Sequence, residues 1–215
     1  GGSVVSCTTN DHGGAVRIAG KGAVVTLTNA GFYSNMTSES TDNSHGGAIY
    51  ADYGDSKVTL VNCIFEGNYS EDNGGAIYVN DGTLTAEGCL FLSNKSTDDG
   101  GAVYIERGAT AKFTDCTFEG NVSDGDGGAV YCNSSEGTRL SGRFAYNTAK
   151  GSGGAICVCG DLVNLFDAYV TDNNATGHGC GIYVDELYDL NVQGLVVVRD
   201  NLRSDKSRDD IFLDA

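Results

Sequence analysis

The sequence predicts an all-β protein: a single-stranded parallel β-helix of about eight coils, or rungs, each 26–33 residues long. A Gly-Gly-Ala-Ile-type tetrapeptide returns at nearly fixed distance, beginning at Gly13, Gly46, Gly74, Gly100, Gly127, Gly153 and Gly179. Between the copies stands a Phe-x-x-Asn motif or its Val-x-x-Asn equivalent, beginning at Phe32, Phe65, Phe91, Phe118, Phe144, Val170 and Val198. Two motifs that keep step with a period in the twenties are typical of a solenoid.

The segments between the motifs predict strands. Runs such as Ala76-Ile77-Tyr78-Val79 are short, rich in β-branched residues and bounded by Gly, Asn, Asp and Ser. A helical repeat would need apolar residues spaced three and four apart over ten or more positions. Each period therefore divides into about three short extended segments joined by tight corners, which is the layout of a parallel β-helix. With strands roughly 4.8 Å apart, about eight rungs form a rod on the order of 35–40 Å long.

Stacked rungs place equivalent residues above one another, so each motif becomes a column. Because side chains alternate along a strand, the aliphatic residue of each tetrapeptide and the residue after it face opposite sides. We assign the aliphatic set to the core: Ile49, Ile77, Val103, Val130, Ile156 and Ile182. The outward set is then Tyr50, Tyr78, Tyr104, Tyr131 and Tyr183. Stacked tyrosines stabilise neighbouring rungs, and an exposed aromatic stripe can also bind carbohydrate or a partner protein.

The second motif predicts two further columns. Phe65, Phe91, Phe118 and Phe144, with Phe32 before them, are expected to stack inside the coil, and Val170 and Val198 continue the column. The asparagine three positions later, which includes Asn68, Asn94, Asn121 and Asn147, should lie at a corner. There its amide can satisfy backbone groups that the turn leaves unpaired. The glycine pair that closes each corner suggests a positive φ.

The alternating motifs, for example Gly74-Gly75-Ala76-Ile77 with Phe65-Glu66-Gly67-Asn68, resemble the repeats of the polymorphic membrane proteins, the chlamydial autotransporter passengers. The resemblance extends from Gly13 to Asn201. It implies a secreted right-handed β-helix, displayed on a cell surface and used in adhesion. We interpret residues 1–215 as one domain, with a partial rung at 1–12, the repeats at 13–201 and a degenerate rung at 202–215. Such a domain is expected to be part of a larger surface protein.

Composition restricts the partners. The formal net charge of −16 and the pI near 4.3 oppose binding to nucleic acid or to anionic lipid. The sequence has no stretch of 18 consecutive apolar residues, so direct insertion into a membrane is not expected. We expect an extracellular location at a cell surface.

The eight cysteines fall into two groups and one isolated residue. Cys63, Cys89 and Cys116 each stand two residues before the stacked Phe, so they should form a column of buried thiols. The other group lies in neighbouring rungs and contains candidate disulfide cysteines: Cys132, Cys157, Cys159 and Cys180. Cys7 has no evident partner.

Acidic corner residues follow the Asn column, namely Asp72, Asp98, Asp99, Asp124 and Asp126. Carboxylates stacked about 5 Å apart need compensation, by a cation such as calcium, by water or by raised pKa values. A calcium site and a solvated, solubilising edge both stay open. One rung carries an insertion from Met36 to His45, and solenoid loops of this kind commonly bind partners. Thr37, Glu39 and Asp42 are its candidate binding residues.

Two hypotheses for the function follow. The first is a noncatalytic adhesin-like or fibre-forming surface module, which binds a protein or glycan on a host or neighbouring cell or assembles head to tail. The alternative is a carbohydrate-active enzyme, since pectate-lyase-like enzymes share the coil. An enzyme would need convergent carboxylates, or a calcium cluster with a cationic base, and the basic residues here are scattered. We therefore expect no catalytic activity and no cofactor other than calcium.

Overall fold

The computed structural model describes residues 1–38, 44–160 and 162–214, and throughout these ranges the chain winds as a parallel β-solenoid of about eight turns. Each turn passes through three walls and one short two-residue strand. All named strands pair in parallel, as the repeat pattern predicts. The described residues contain no helix, and therefore no helix that could cross a membrane.

The first wall follows each glycine pair. It contains β3 (Val16–Ile18), β7 (Ile49–Ala51), the start of β11 (Ile77–Glu87), the start of β14 (Val103–Glu119), β16 (Val130–Cys132), β19 (Ile156–Val158), β22 (Ile182–Val184) and β25 (Ile211–Leu213). The last of these pairs Ile182 with Ile211 and Tyr183 with Phe212. The segment expected to be a degenerate final rung is therefore paired in register with the rung before it.

The second wall contains β4 (Val24–Thr28), β8 (Lys57–Val61), the end of β11, the middle of β14, and the starts of β17 (Thr138–Ala145), β20 (Leu162–Thr171) and β23 (Asp189–Arg199). The third wall carries the Phe motif on β1 (Ser3–Val5), β5 (Gly31–Tyr33), β9 (Ile64–Glu66), β12 (Leu90–Leu92) and the ends of β14, β17, β20 and β23. Some rungs bend between these walls without interrupting the strand, because register shifts absorb the corner.

The two-residue strands form a separate sheet on the remaining side. They are β2 (Thr8–Thr9), β6 (Met36–Thr37), β10 (Tyr69–Ser70), β13 (Lys95–Ser96), β15 (Val122–Ser123), β18 (Thr148–Ala149), β21 (Asn174–Ala175) and β24 (Leu202–Arg203). All but β2, which follows Cys7, follow a motif asparagine, and all but β24 precede the corner that leads to the next copy of the glycine motif. This fourth segment is an addition to the three that the sequence predicts.

The core includes the predicted columns. The six aliphatic residues predicted for the first wall, from Ile49 to Ile182, are at most 1% exposed. The Phe rings stack face to face, with centroids 4.5–5.0 Å apart and interplanar angles of 4–6°. Phe113 packs edge-on against Phe91 and Phe118, at 5.9 and 5.5 Å. Offset and edge-on contacts of this kind stabilise a core beyond the area that they bury.

The two glycines of each pair have different roles. The first has a positive φ in all seven copies, between 60° and 70°. The second has no room for a side chain, because a Cβ on Gly128 would lie 2.2 Å from the carbonyl oxygen of Gly154 in the next rung. Cys180 replaces this second glycine in the last copy of the motif, where the following rung contributes Asp209 and Asp210 instead of another pair.

Candidate functional site

A continuous hydrogen-bonded column of asparagines runs along one corner, and we call it the Asn ladder. It consists of Asn35, Asn68, Asn94, Asn121, Asn147, Asn173 and Asn201. In each step one Asn donates both its backbone N–H and its Nδ2–H to the Oδ1 atom of the next, at 2.9–3.0 Å. The same Nδ2 also donates to the carbonyl of the motif Phe or Val one rung earlier. These side chains are at most 1% exposed, so their role is structural.

The Asn ladder ends on a carboxylate. Asp210 Oδ1 accepts both the N–H and the Nδ2–H of Asn201, at 3.0 and 2.9 Å. An aspartate fits at the end of the Asn ladder because the last side chain needs to accept hydrogen bonds and has no further ladder residue to which it would donate. At the other end, the backbone N–H of Cys7 donates to Asn35 Oδ1 at 3.1 Å.

A second column of acceptor side chains lies immediately before the glycine pairs, and we call it the acceptor column. Its members are His12, His45, Asn73, Asp99, Asp126, Ser152 and His178. The backbone N–H of each member after His12 donates to the side chain one rung earlier, for example Asp126 N–H to Asp99 Oδ1 at 2.7 Å. The neighbouring steps follow the same rule, from Asp99 N–H to Asn73 Oδ1 at 2.9 Å and from Ser152 N–H to Asp126 Oδ1 at 2.5 Å. The sequence analysis missed this column because its members share only the ability to accept.

The acceptor column holds two of the five acidic residues proposed for calcium. Burial raises the pKa of Asp99 to about 7; the hydrogen bond from the Asp126 backbone N–H opposes this rise, and the negative charges of Asp98 and Asp126 add to it. Asp124 instead pairs with Lys150 and Lys95, at 2.9 and 3.7 Å. Asp72 accepts from the Asn73 side chain at 2.9 Å, and Asp98 is exposed. Across the described part of the chain, no group of three or more His, Cys, Asp or Glu side chains is arranged to hold a metal ion.

The tyrosine column stacks, but it is not the exposed stripe that would be needed for a binding surface. Neighbouring rings from Tyr50 through Tyr78 and Tyr104 to Tyr131 have centroids 4.9–5.4 Å apart. His12 and His45 extend the stack, since they lie 4.1 Å from Tyr50 and 4.3 Å from Tyr78. The first three tyrosines are only 5–8% exposed, so stacking covers the faces that a ligand would contact.

The hydroxyl groups of this column face a row of polar side chains. Tyr78 donates to Glu106 Oε2 at 3.0 Å, and Tyr183 donates to Asp214 Oδ2 at 3.0 Å. Burial, reinforced by the neighbouring Glu106, raises the pKa of Tyr78. Tyr183 stacks on Phe212 at 5.8 Å, beyond the break in the column at Cys157. These contacts tie neighbouring rungs together.

The cysteines are all free thiols in this structure. Cys63, Cys89 and Cys116 are buried in consecutive rungs, and the Cys63 N–H contacts Cys89 Sγ at 3.4 Å. None of the four candidate disulfide cysteines is bonded to another in this structure. Cys132 points into the core and Cys180 lies at the second-glycine position, whereas the Sγ atoms of Cys157 and Cys159 approach to 3.2 Å. That contact and burial together raise the pKa of the Cys157 thiol.

Of the three residues proposed on the inserted loop, the structure describes one. Thr37 is fully buried, and its Oγ1 donates to the Ser44 carbonyl at 2.6 Å, so it is not available to a partner. Glu39 and Asp42 lie outside the described residues. Three tyrosines to which the sequence analysis gave no role are well exposed: Tyr146 at 55%, Tyr169 at 46% and Tyr53 at 44%.

Comparison with known proteins agrees with this architecture. A family model described as "Right handed beta helix region" matches residues 1–186. Neither a curated protein nor a solved structure matches the chain. The match concerns the coil itself, and it leaves the role of the exposed surface to be argued from the side chains.

Proposed function

Since the chain belongs to the right-handed beta helix region family, we propose that it is a noncatalytic, extracellular surface module of the adhesin type. The coil is a rod-like repetitive module. The motif resemblance to chlamydial passenger domains supports a position at a cell surface, and the strongly acidic composition favours partners other than nucleic acid.

One observation carries this proposal. Two polar columns run along the coil with their side chains committed to the next rung, so the polar groups that might form a reactive cluster are used to join rungs. A solenoid held this way presents a repetitive outer surface, because each rung repeats the geometry of its neighbours. Reach and rigidity are properties that a surface binding module requires.

The test is a binding assay with the purified chain coupled to fluorescent beads. Beads are incubated with a panel of animal and bacterial cells, and bound beads are counted by flow cytometry. Saturable binding to a subset of the cells, competed by free chain, is the expected result. Binding equal to that of beads coated with an acidic control protein on every cell type would refute the adhesin proposal.

Fibre formation is a variant of the same proposal. In the second wall β4 pairs only with β8 and β23 only with β20, so each has one edge free of a described neighbour. Strand edges of this kind can pair with another copy of a chain. Electron microscopy over a range of protein concentrations tests it, because single rods of constant length at every concentration would exclude head-to-tail growth.

A carbohydrate-active enzyme of the pectate-lyase-like type is the second candidate, favoured by one observation. Asp99 has a pKa of about 7 and lies near the carboxylates of Asp98 and Asp126. Two neighbouring carboxyl groups with different pKa values suit general acid-base chemistry. Against it, one oxygen of Asp99 and one of Asp126 each accept a backbone N–H. Incubation with polygalacturonate and other polysaccharides distinguishes the two, since release of reducing ends or unsaturated products that Asp99→Asn abolishes would favour the enzyme.

A further inference from the structure

One position of the coil is left-handed in every rung, two residues after the motif Phe or its equivalent. It is occupied by Ser6, Ser34, Gly67, Ser93, Gly120, Tyr146, Asp172 and Asp200, whose φ values lie between 51° and 68°. Glycine takes up this conformation freely, and short polar side chains tolerate it. Tyr146 is the single bulky residue among the eight.

A tyrosine at this position strains the backbone and contributes little to the packing of the coil. A non-glycine residue in the left-handed region costs on the order of 1–3 kcal/mol, and the cost is greater for a bulky side chain than for Asp or Asn. The residue remains 55% exposed, so it adds little to the core. Strain kept at an exposed aromatic residue points to a function for its ring.

The surroundings of Tyr146 are those of a small surface site. The Arg143 guanidinium lies 5.6 Å from the ring centroid, and Tyr169 stands beside Arg143 on the neighbouring strand. A groove of about 240 Å³ begins at the ring and continues over the next two rungs, lined by Tyr146, Asp172, Asn173, Asn174, Asp200 and Leu202. The groove thus combines an aromatic platform with the carboxylates of Asp172 and Asp200, while Asn173 belongs to the Asn ladder and Asn174 Nδ2 donates to the Leu202 carbonyl.

Charge in this region is balanced, in contrast to the chain as a whole. Arg143 pairs with Glu119, and Asp200 pairs with both Arg199 and Arg208. A charged ligand at Arg143 or Asp200 would have to displace these pairs, whereas a neutral one would not. Hydroxyl groups can donate to carboxylates and accept from guanidinium and amide donors, while the apolar face of a sugar ring can lie on an aromatic ring.

We propose that Tyr146, with Tyr169, Arg143 and Asp172 around it, forms a binding subsite for neutral oligosaccharides. Tyr146 supplies the platform, and the exposed Asp172 carboxylate accepts hydroxyl hydrogen bonds. The subsite rests on the proposed surface-binding function and specifies the chemistry of its ligand. The tyrosine column of the first wall does not take part, because its ring faces are covered.

The experiment is a printed array of neutral, sialylated and sulfated oligosaccharides together with basic peptides, probed with the full chain. The best neutral glycan is then titrated by calorimetry against the wild type, Tyr146→Gly, Tyr146→Phe and Tyr53→Ser. Tyr53 is a matched control, because it is 44% exposed but lies far along the chain from the groove. Thermal unfolding of each variant is followed by circular dichroism.

We expect Tyr146→Gly to lower the affinity for the neutral glycan by about tenfold or more, as loss of a central aromatic contact does. Its unfolding midpoint should equal or exceed that of the wild type, since glycine relieves the strain. Tyr146→Phe and Tyr53→Ser should bind within about threefold of the wild type. A lower midpoint for Tyr146→Gly would overturn the strain reasoning, and unchanged binding would overturn the subsite.

An array that shows only basic peptides or only anionic glycans would also overturn this proposal. The bead assay separates its failure from that of the wider function. Unchanged glycan affinity in Tyr146→Gly, together with cell binding that persists, refutes the subsite and leaves the adhesin proposal standing. Glycan binding by the wild type that Tyr146→Gly weakens, without any cell binding, supports the subsite and refutes the adhesin proposal.

Discussion

Replacing Asn121 by alanine should break the Asn ladder in the middle of the rod. Asn121 Oδ1 accepts the backbone N–H and the Nδ2–H of Asn94, both at 3.0 Å. Its own Nδ2 donates to the Phe91 carbonyl and to Asn147 Oδ1, both at 2.9 Å. The alanine variant removes these four hydrogen bonds and leaves their partners at a site that is 0% exposed.

The magnitude follows from the groups left without partners. Asn147 Oδ1 keeps one donor, the backbone N–H of residue 121 at 3.0 Å, and Asn94 Nδ2 keeps the Phe65 carbonyl. Two buried donor hydrogens of Asn94 lose their acceptor, and an unsatisfied buried group costs about 1–3 kcal/mol. The free energy of unfolding should therefore fall by about 2–6 kcal/mol, a large part of the stability of an ordinary domain.

Urea unfolding followed by circular dichroism measures this change, with the m-value checked for loss of two-state behaviour. The matched control is Asn191→Ala, since Asn191 is exposed and its Nδ2 makes a long, 3.5 Å hydrogen bond to Asn164 Oδ1. The control should change the free energy of unfolding by less than about 0.5 kcal/mol. A loss below about 1 kcal/mol for Asn121→Ala would show that the ladder contributes little and would refute this reasoning.

Three further predictions concern packing, thiols and pH. Gly128→Ala should prevent soluble expression or lower the unfolding midpoint severely, because its Cβ would lie 2.2 Å from a backbone oxygen, whereas Gly2→Ala, with nothing within 4 Å, should behave like the wild type. A thiol reagent should rapidly label the folded chain only at the two half-buried cysteines, Cys7 and Cys159. The denatured chain should be labelled at all eight cysteines. Fast labelling of a third cysteine in the folded chain would contradict the burial of the other six. Folding raises the pKa of Asp99 from 3.8 to about 7, so the folded state binds its proton more tightly and this carboxyl lowers stability as pH rises through that window. Asp99→Asn should therefore gain stability relative to the wild type between pH 4 and 7, and a constant difference across these pH values would argue against a buried, raised carboxyl.

The coil itself was predictable from one sequence because its motifs are periodic. A parallel coil places residues one period apart at the same position, so Phe65 meets Phe91 and Asn68 meets Asn94 once the period is known. The positive φ of the first glycine followed from the corner that it closes, and the structure confirms it at all seven copies. The match to a right-handed beta helix family bears out the fold class.

The candidate sites were less predictable, since exposure depends on what lies beside a residue. The tyrosine column was placed on the outer face correctly, but its availability depends on ring stacking at 4.9–5.4 Å, which the sequence does not specify. Similarly, Asp99 and Asp126 are acceptors for backbone N–H groups in the next rung. A signal for Tyr146 was present, because the equivalent positions hold Ser, Gly or Asp.

By itself the sequence determined the period, the direction of each repeated side chain and the residue types that form the core columns. It could do so because a coil of parallel strands repeats one local geometry, and each repeat is evidence for the next. Only the tertiary structure decided which polar groups are already bonded and which rings keep a free surface. Those properties depend on distances of a few ångströms between rungs 26 or more residues apart, which periodicity does not contain.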